Sequence, residues 1–73
     1  MDDLRKEFGL RLRTLRRQAG LTQEQLAEAA NVSVDFISLV ERGINAPSFE
    51  NLDKLAKALD VPIRELFNFQ DNE

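Results

Sequence analysis

Between Thr22 and Gly43 the chain has room for two helices and almost nothing to join them. Thr22 stands before "QEQLAEAA", and Gln25 completes a capping box in which each side chain serves the other residue's backbone N–H. Leu21 and Leu26 flank that box as a hydrophobic staple. Asn31 follows, a residue that tolerates the left-handed conformation with which many helices end. Ser33 then caps a second run, "VDFISLVE", with Val32 and Ile37 as its staple, and Gly43 closes it. The connection "ANV" leaves space only for a tight αα corner. Ala27 suits that corner, because two steeply crossing helices need a small residue where they approach.

The rest of the chain repeats the helical grammar. Leu4, Phe8, Leu12, Leu15 and Ala19 recur at spacings of four, four, three and four, the stripe of a long first helix that ends near Gly20. After the turn "INAP", Ser48 caps a run with Leu52, Leu55, Ala56 and Leu59 on one face. Pro62 is placed to begin a short fifth helix with Ile63, Leu66 and Phe67 together. Nothing alternates with period two over a useful length, so the expected class is all-α, four amphipathic helices and a short fifth. One domain is expected over residues 1–69, with the corner helices at 23–42 and a flexible tail at 70–73. Asn31 and Asp60 each stand where a glycine is common after a helix.

Composition removes several classes of function. The 73 residues include no histidine and no cysteine, and no glycine-rich phosphate loop is present. With the carboxylates spread along helix faces, no catalytic constellation, metal site or cofactor is expected. No apolar run approaches the roughly 18–20 residues that span a bilayer, and "MDDLRKEF" does not read as a secretory signal. A cytoplasmic location with no membrane partner is expected, in keeping with the absence of disulfides. A chain this size buries only about 60–65% of its unfolded surface, so stabilisation by a partner chain is natural. The net charge of −3 is unfavourable for nucleic acid. Its distribution offsets that: six of the ten basic residues lie in 5–17, while 31–73 hold eight of the thirteen acids.

The helix after Ser33 carries more apolar side chains than a core requires. Phe36, Ile37 and Val40 share one side of its wheel, and Val34, Asp35, Ser38, Leu39 and Arg42 fall on the other. Two functions fit an outward face holding valine and leucine beside charges. One is a surface that reads base edges; the other is an interface for a protein partner, as in an antitoxin-like or adaptor module.

The segments "LTQEQLAEAANVSVDFISLVERG" and "PSFENLDKLAKALDV" closely resemble the Cro and lambda-repressor-type helix-turn-helix family, also called Xre-like, and "FGLRLRTLRRQAGLTQ" resembles its first helix. The likeness covers about Phe8 to Phe67. Within the family, "FGLRLRTLR" and "FISLVERG" are similar to the small controller proteins of restriction–modification systems. The resemblance implies a five-helix bundle that binds duplex DNA sequence-specifically, usually as a homodimer, and controls transcription. It places Val34, Asp35, Ser38 and Leu39 against bases. It sets Gln23, with Thr22 at the start of the same helix, against a phosphate, and Arg42 and Asn45 near the sugar–phosphate backbone. Arg13 and Arg17 either touch phosphate or form an ordinary solvated face. Arg16 and Glu41 match a partly buried ion pair, the plainer alternative being two surface charges worth about 0–1 kcal/mol.

Base readout here would be unusual. Val34 and Leu39 could meet thymine methyls and Asp35 could accept from a cytosine amino group, but none supplies the bidentate bonds of arginine or glutamine. DNA shape at uncontacted positions would then carry part of the specificity. Ile63, Phe67 and Phe69 offer more apolar surface than a short last helix needs, and a two-fold interface involving them would imply a palindromic operator. Glu24 and Glu28 could contact RNA polymerase in an activator, or serve only as helix-surface charges.

Overall fold

The computed structural model of the chain describes residues 2–71. Four α-helices, α1 (Asp2–Gln18), α2 (Gln23–Ala30), α3 (Val34–Glu41) and α4 (Phe49–Leu59), are followed by two 3₁₀ turns, Ile63–Phe67 and Phe69–Asp71. No strand occurs among the described residues. The expected fifth α-helix is therefore a 3₁₀ turn. The segment is five residues long, too short for an i→i+4 ladder to repay its nucleation. It closes with i→i+3 bonds from the N–H of Glu65 to Pro62 (2.9 Å) and of Asn68 to Glu65 (3.4 Å). Of the tail expected to be loose, Gln70 and Asp71 belong to the second 3₁₀ turn, and 72 and 73 lie outside the described residues.

The caps form as local chemistry dictates. Thr22 Oγ1 accepts from the N–H of Gln25 at 3.0 Å, and Gln25 Oε1 accepts from the N–H of Thr22 at 2.9 Å. Ser33 and Ser48 cap α3 and α4 through the N–H groups of Phe36 (3.0 Å) and Asn51 (3.1 Å). Asn31 and Asp60 take the left-handed conformation, with φ of 57° and 58°. Asparagine and aspartate enter that region more readily than other non-glycine residues.

The core joins Phe8, Leu12 and Leu15 of α1 to Leu26, Ala27 and Ala30 of α2, Ile37 and Val40 of α3, Leu52, Leu55, Ala56 and Leu59 of α4, and Leu66. Phe36 is only half-buried at its edge. The stripe of α1 is shorter than its periodicity suggests, because Leu4 is 48% exposed and Ala19 also faces solvent. Periodicity defines a face; only the reach of the neighbouring elements decides how much of it is covered.

Two seams fix α1 to the rest. Toward α3, Gly9 is buried against backbone, and a Cβ there would stand 2.4 Å from the carbonyl oxygen of Val40 and 2.6 Å from that of Glu41. This glycine allows α1 to cross the end of α3 at backbone distance. Toward the C-terminal turn, Arg11 is buried, donating from Nε to the carbonyl of Glu65 at 2.7 Å and from Nη2 to its carboxylate at 3.0 Å. The Phe8 and Phe67 rings lie 5.4 Å apart across the same seam.

Candidate nucleic-acid interface

The α2–α3 corner is closed by the N–H of Asn31 bonding to the carbonyls of Ala27 and Glu28, and by the N–H of Val32 bonding to Ala27 at 3.0 Å. These bonds satisfy carbonyls that the end of α2 would otherwise leave unpaired. With Ile37 and Val40 fully buried beneath it, α3 cannot rotate without exposing core, so its opposite arc faces outward. Val34 and Asp35 are exposed on that arc, and Ser38 and Leu39 are half-buried. Asp35 lies in the first turn of α3, where a negative charge favours the helix N-terminus. Its position thus has a structural rationale alongside any contact with a base.

A chain of polar contacts links this helix to the start of α2. Arg16 donates from Nε to Glu41 Oε2 at 2.6 Å and from Nη2 to Oε1 at 3.1 Å, both residues buried. Its Nη1 binds the carbonyl of Leu21 at 2.9 Å. Glu41 Oε1 also accepts from Gln23 Nε2 at 3.1 Å. The family resemblance implies a phosphate contact for Gln23, and within the molecule one of its amide N–H groups is held by Glu41. The other N–H and the amide oxygen remain for an outside partner. The Arg16–Glu41 pair therefore does more than join α1 to α3: it orients the half-buried side chain at the first position of α2.

The remaining candidates surround this frame. Arg42 is exposed at the end of α3, its Nε 3.4 Å from the carbonyl of Ser38. Asn45 is exposed in the following turn, which the N–H groups of Ile44 and Asn45 tie to the carbonyl of Leu39 at 2.9 and 3.3 Å. Thr22 is exposed; its hydroxyl oxygen accepts in the capping box while its O–H proton can still donate, beside the backbone N–H groups at the start of α2 that favour an anion. On α1, Arg13 is half-buried and Arg17 exposed.

The three residues expected at a two-fold interface differ among themselves. Ile63 and Phe67 are 46% and 43% exposed. Phe69 is half-buried against its own core, with its ring edge-on to Phe67 at 6.2 Å. Among the described residues the most exposed large apolar side chain is Phe49, at 91%, a position to which no sequence motif assigns a role. Among the described residues no group of three His, Cys, Asp or Glu could hold a metal ion. No helix among them is long and apolar enough to cross a membrane.

A sequence profile described as helix-turn-helix matches residues 12–66. This chain belongs to the helix-turn-helix family. Its α2 and α3 are the two helices of the motif, and Asn31 to Ser33 form the turn. The chain is 41% identical over 56 residues to the HTH-type transcriptional regulator DdrOP3 of Deinococcus deserti, across 77% of this chain but only 43% of that protein. It is 33% identical over 69 residues to the control protein C.BamHI of Bacillus amyloliquefaciens, covering 93% of this chain and 85% of the relative. Among solved structures, the restriction-modification controller protein C.AhdI from Aeromonas hydrophila superposes with a TM-score of 0.86 at 46% identity, over 92% of this chain and all of that one. The chain thus spans under half of the Deinococcus regulator, 85% of C.BamHI and the whole of C.AhdI.

Proposed function

We propose that this helix-turn-helix chain binds duplex DNA sequence-specifically as a homodimer and regulates transcription, with α3 in the major groove. The observation that carries this reading is the Arg16–Glu41–Gln23 chain of contacts, which holds an amide at the start of α2 beside the free arc of α3. A phosphate met by Gln23 and by the backbone N–H groups of α2 would set the register of α3. Val34, Asp35, Ser38 and Leu39 would then face the base edges, and Arg42 and Asn45 the sugar–phosphate backbone. Relatives described as transcriptional regulators and controllers support the assignment. Two α3 helices about 34 Å apart would meet successive major grooves, so the operator is expected to be an inverted repeat.

The apolar content of the α3 arc, with Val34 39% exposed, also fits a protein partner. Salt separates the two readings. Binding to a DNA fragment that carries the operator should weaken steeply between about 50 and about 200 mM salt as phosphate contacts displace counterions. A complex whose affinity barely changes over that range, or no DNA complex at all, would favour the protein-interaction reading.

A further inference from the structure

A cavity of about 210 Å³ opens to solvent between the start of α1 and the turn that precedes α4. Leu4, Phe8, Pro47, Leu52 and Phe67 give it apolar walls, and among the described residues Arg5 is the charged one that lines it. Phe49 stands beside it in the chain, between Pro47 and Leu52, and projects into solvent at 91% exposure. An aromatic ring this exposed leaves a large apolar face in water, and among the described residues nothing covers it. An apolar cavity of about 150 Å³ already admits a benzene ring, so the space suffices for a phenylalanine side chain.

We propose that this cavity is the socket for Phe49 of a second copy of the chain, so that two reciprocal insertions lock the homodimer. The inference rests on the homodimer reading above and specifies where the two copies meet. Three features select a second copy as the occupant. Phe49 is two residues from Pro47 and three from Leu52, both walls of the socket, so a two-fold axis near the start of α4 would bring each knob to the other's socket. Charge agrees: Phe49 is followed by Glu50, exposed and without an ion-pair partner among the described residues, while Arg5 lies at the socket. Arg5 uses Nη1 to bind the carbonyl of Ile44 at 3.2 Å and keeps other N–H groups for the incoming carboxylate. The walls also include Asn45 and Ala46. Insertion would therefore brace the turn that the proposed function sets against the DNA backbone, tying dimer formation to DNA contact.

The test is sedimentation equilibrium on the full chain, with thermal melts to verify folding. Phe49→Ala removes a solvent-exposed side chain, so its melt at dilute concentration should match the parent, while the dimer dissociation constant rises about 30-fold or more, as for an interface hot spot. Arg5→Glu and Glu50→Lys should each weaken the dimer, and the double variant should recover most of the loss. A Phe49→Ala chain that dimerises like the parent, with association lost instead in Ile63→Ser, would overturn the socket and leave the homodimer reading standing. A parent chain that remains monomeric at high micromolar concentration, both free and on its DNA, would overturn both.

Discussion

The first helix is fastened at two seams, and they use an arginine in different ways. Toward α3, Arg16 meets a carboxylate whose side chain is 3% exposed, and that carboxylate also holds Gln23. Toward the C-terminal turn, Arg11 meets a carboxylate that is 37% exposed, and its shortest bond is to the backbone carbonyl of Glu65. Both guanidinium groups are buried, but only the first depends on a buried acid for its charge balance. The seam with α3 should therefore be brittle toward loss of one side chain. The seam with the turn should tolerate it, because main chain and solvent remain.

Glu41→Ala should produce the largest effect. It strands the Arg16 guanidinium in a buried site, which costs about 3–5 kcal/mol, and also frees Gln23. Chemical denaturation should register the first consequence, and a loss of DNA affinity beyond that of a surface variant the second. Gly9→Ala comes next. Its methyl group would be driven against two backbone carbonyls that cannot rotate away, an overpacking cost of about 3 kcal/mol read from the denaturation midpoint. Glu65→Ala should be mildest, about 1–2 kcal/mol, since Arg11 keeps the Glu65 carbonyl and the lost carboxylate was already partly solvated. If Glu65→Ala proved as damaging as Glu41→Ala, the contrast between the seams would fail. A Glu41→Gln chain nearly as stable as the parent would show instead that charge balance is not what makes the first seam brittle, because glutamine keeps the shape of the side chain and loses only its charge.

The same contrast explains how much could be read from the sequence. The caps at Thr22, Ser33 and Ser48 involve residues three apart, so a local pattern suffices to locate them. The all-α class, the α2–α3 corner and the family resemblance followed from such patterns. Long-range facts were hidden. That Gln23 shares the carboxylate of Glu41, and that Arg11 anchors Glu65, depends on how α1 crosses two other elements. Gly9 in the middle of a helix reads as a weak position until the approaching carbonyls are seen. Leu4 continued a regular stripe but overhangs the elements that would have covered it, and it now walls a cavity. Phe49 gave no sign of its exposure, because a first-turn phenylalanine has the same pattern whether it faces the core or solvent. The short segment after Pro62 had the spacing of a helix without the length to form one.

The proposed placement of Val34, Asp35, Ser38 and Leu39 of α3 against base edges requires Gln23 to fix the register of the helix. Its most direct test is selection of bound duplexes from a random pool by the purified chain, run alongside Leu39→Ala and Gln23→Ala. The expected result is an enriched inverted repeat, a changed preference within each half-site for Leu39→Ala, and the same sequence bound more weakly by Gln23→Ala. No enrichment by the parent chain, or an unchanged preference in Leu39→Ala, would contradict it.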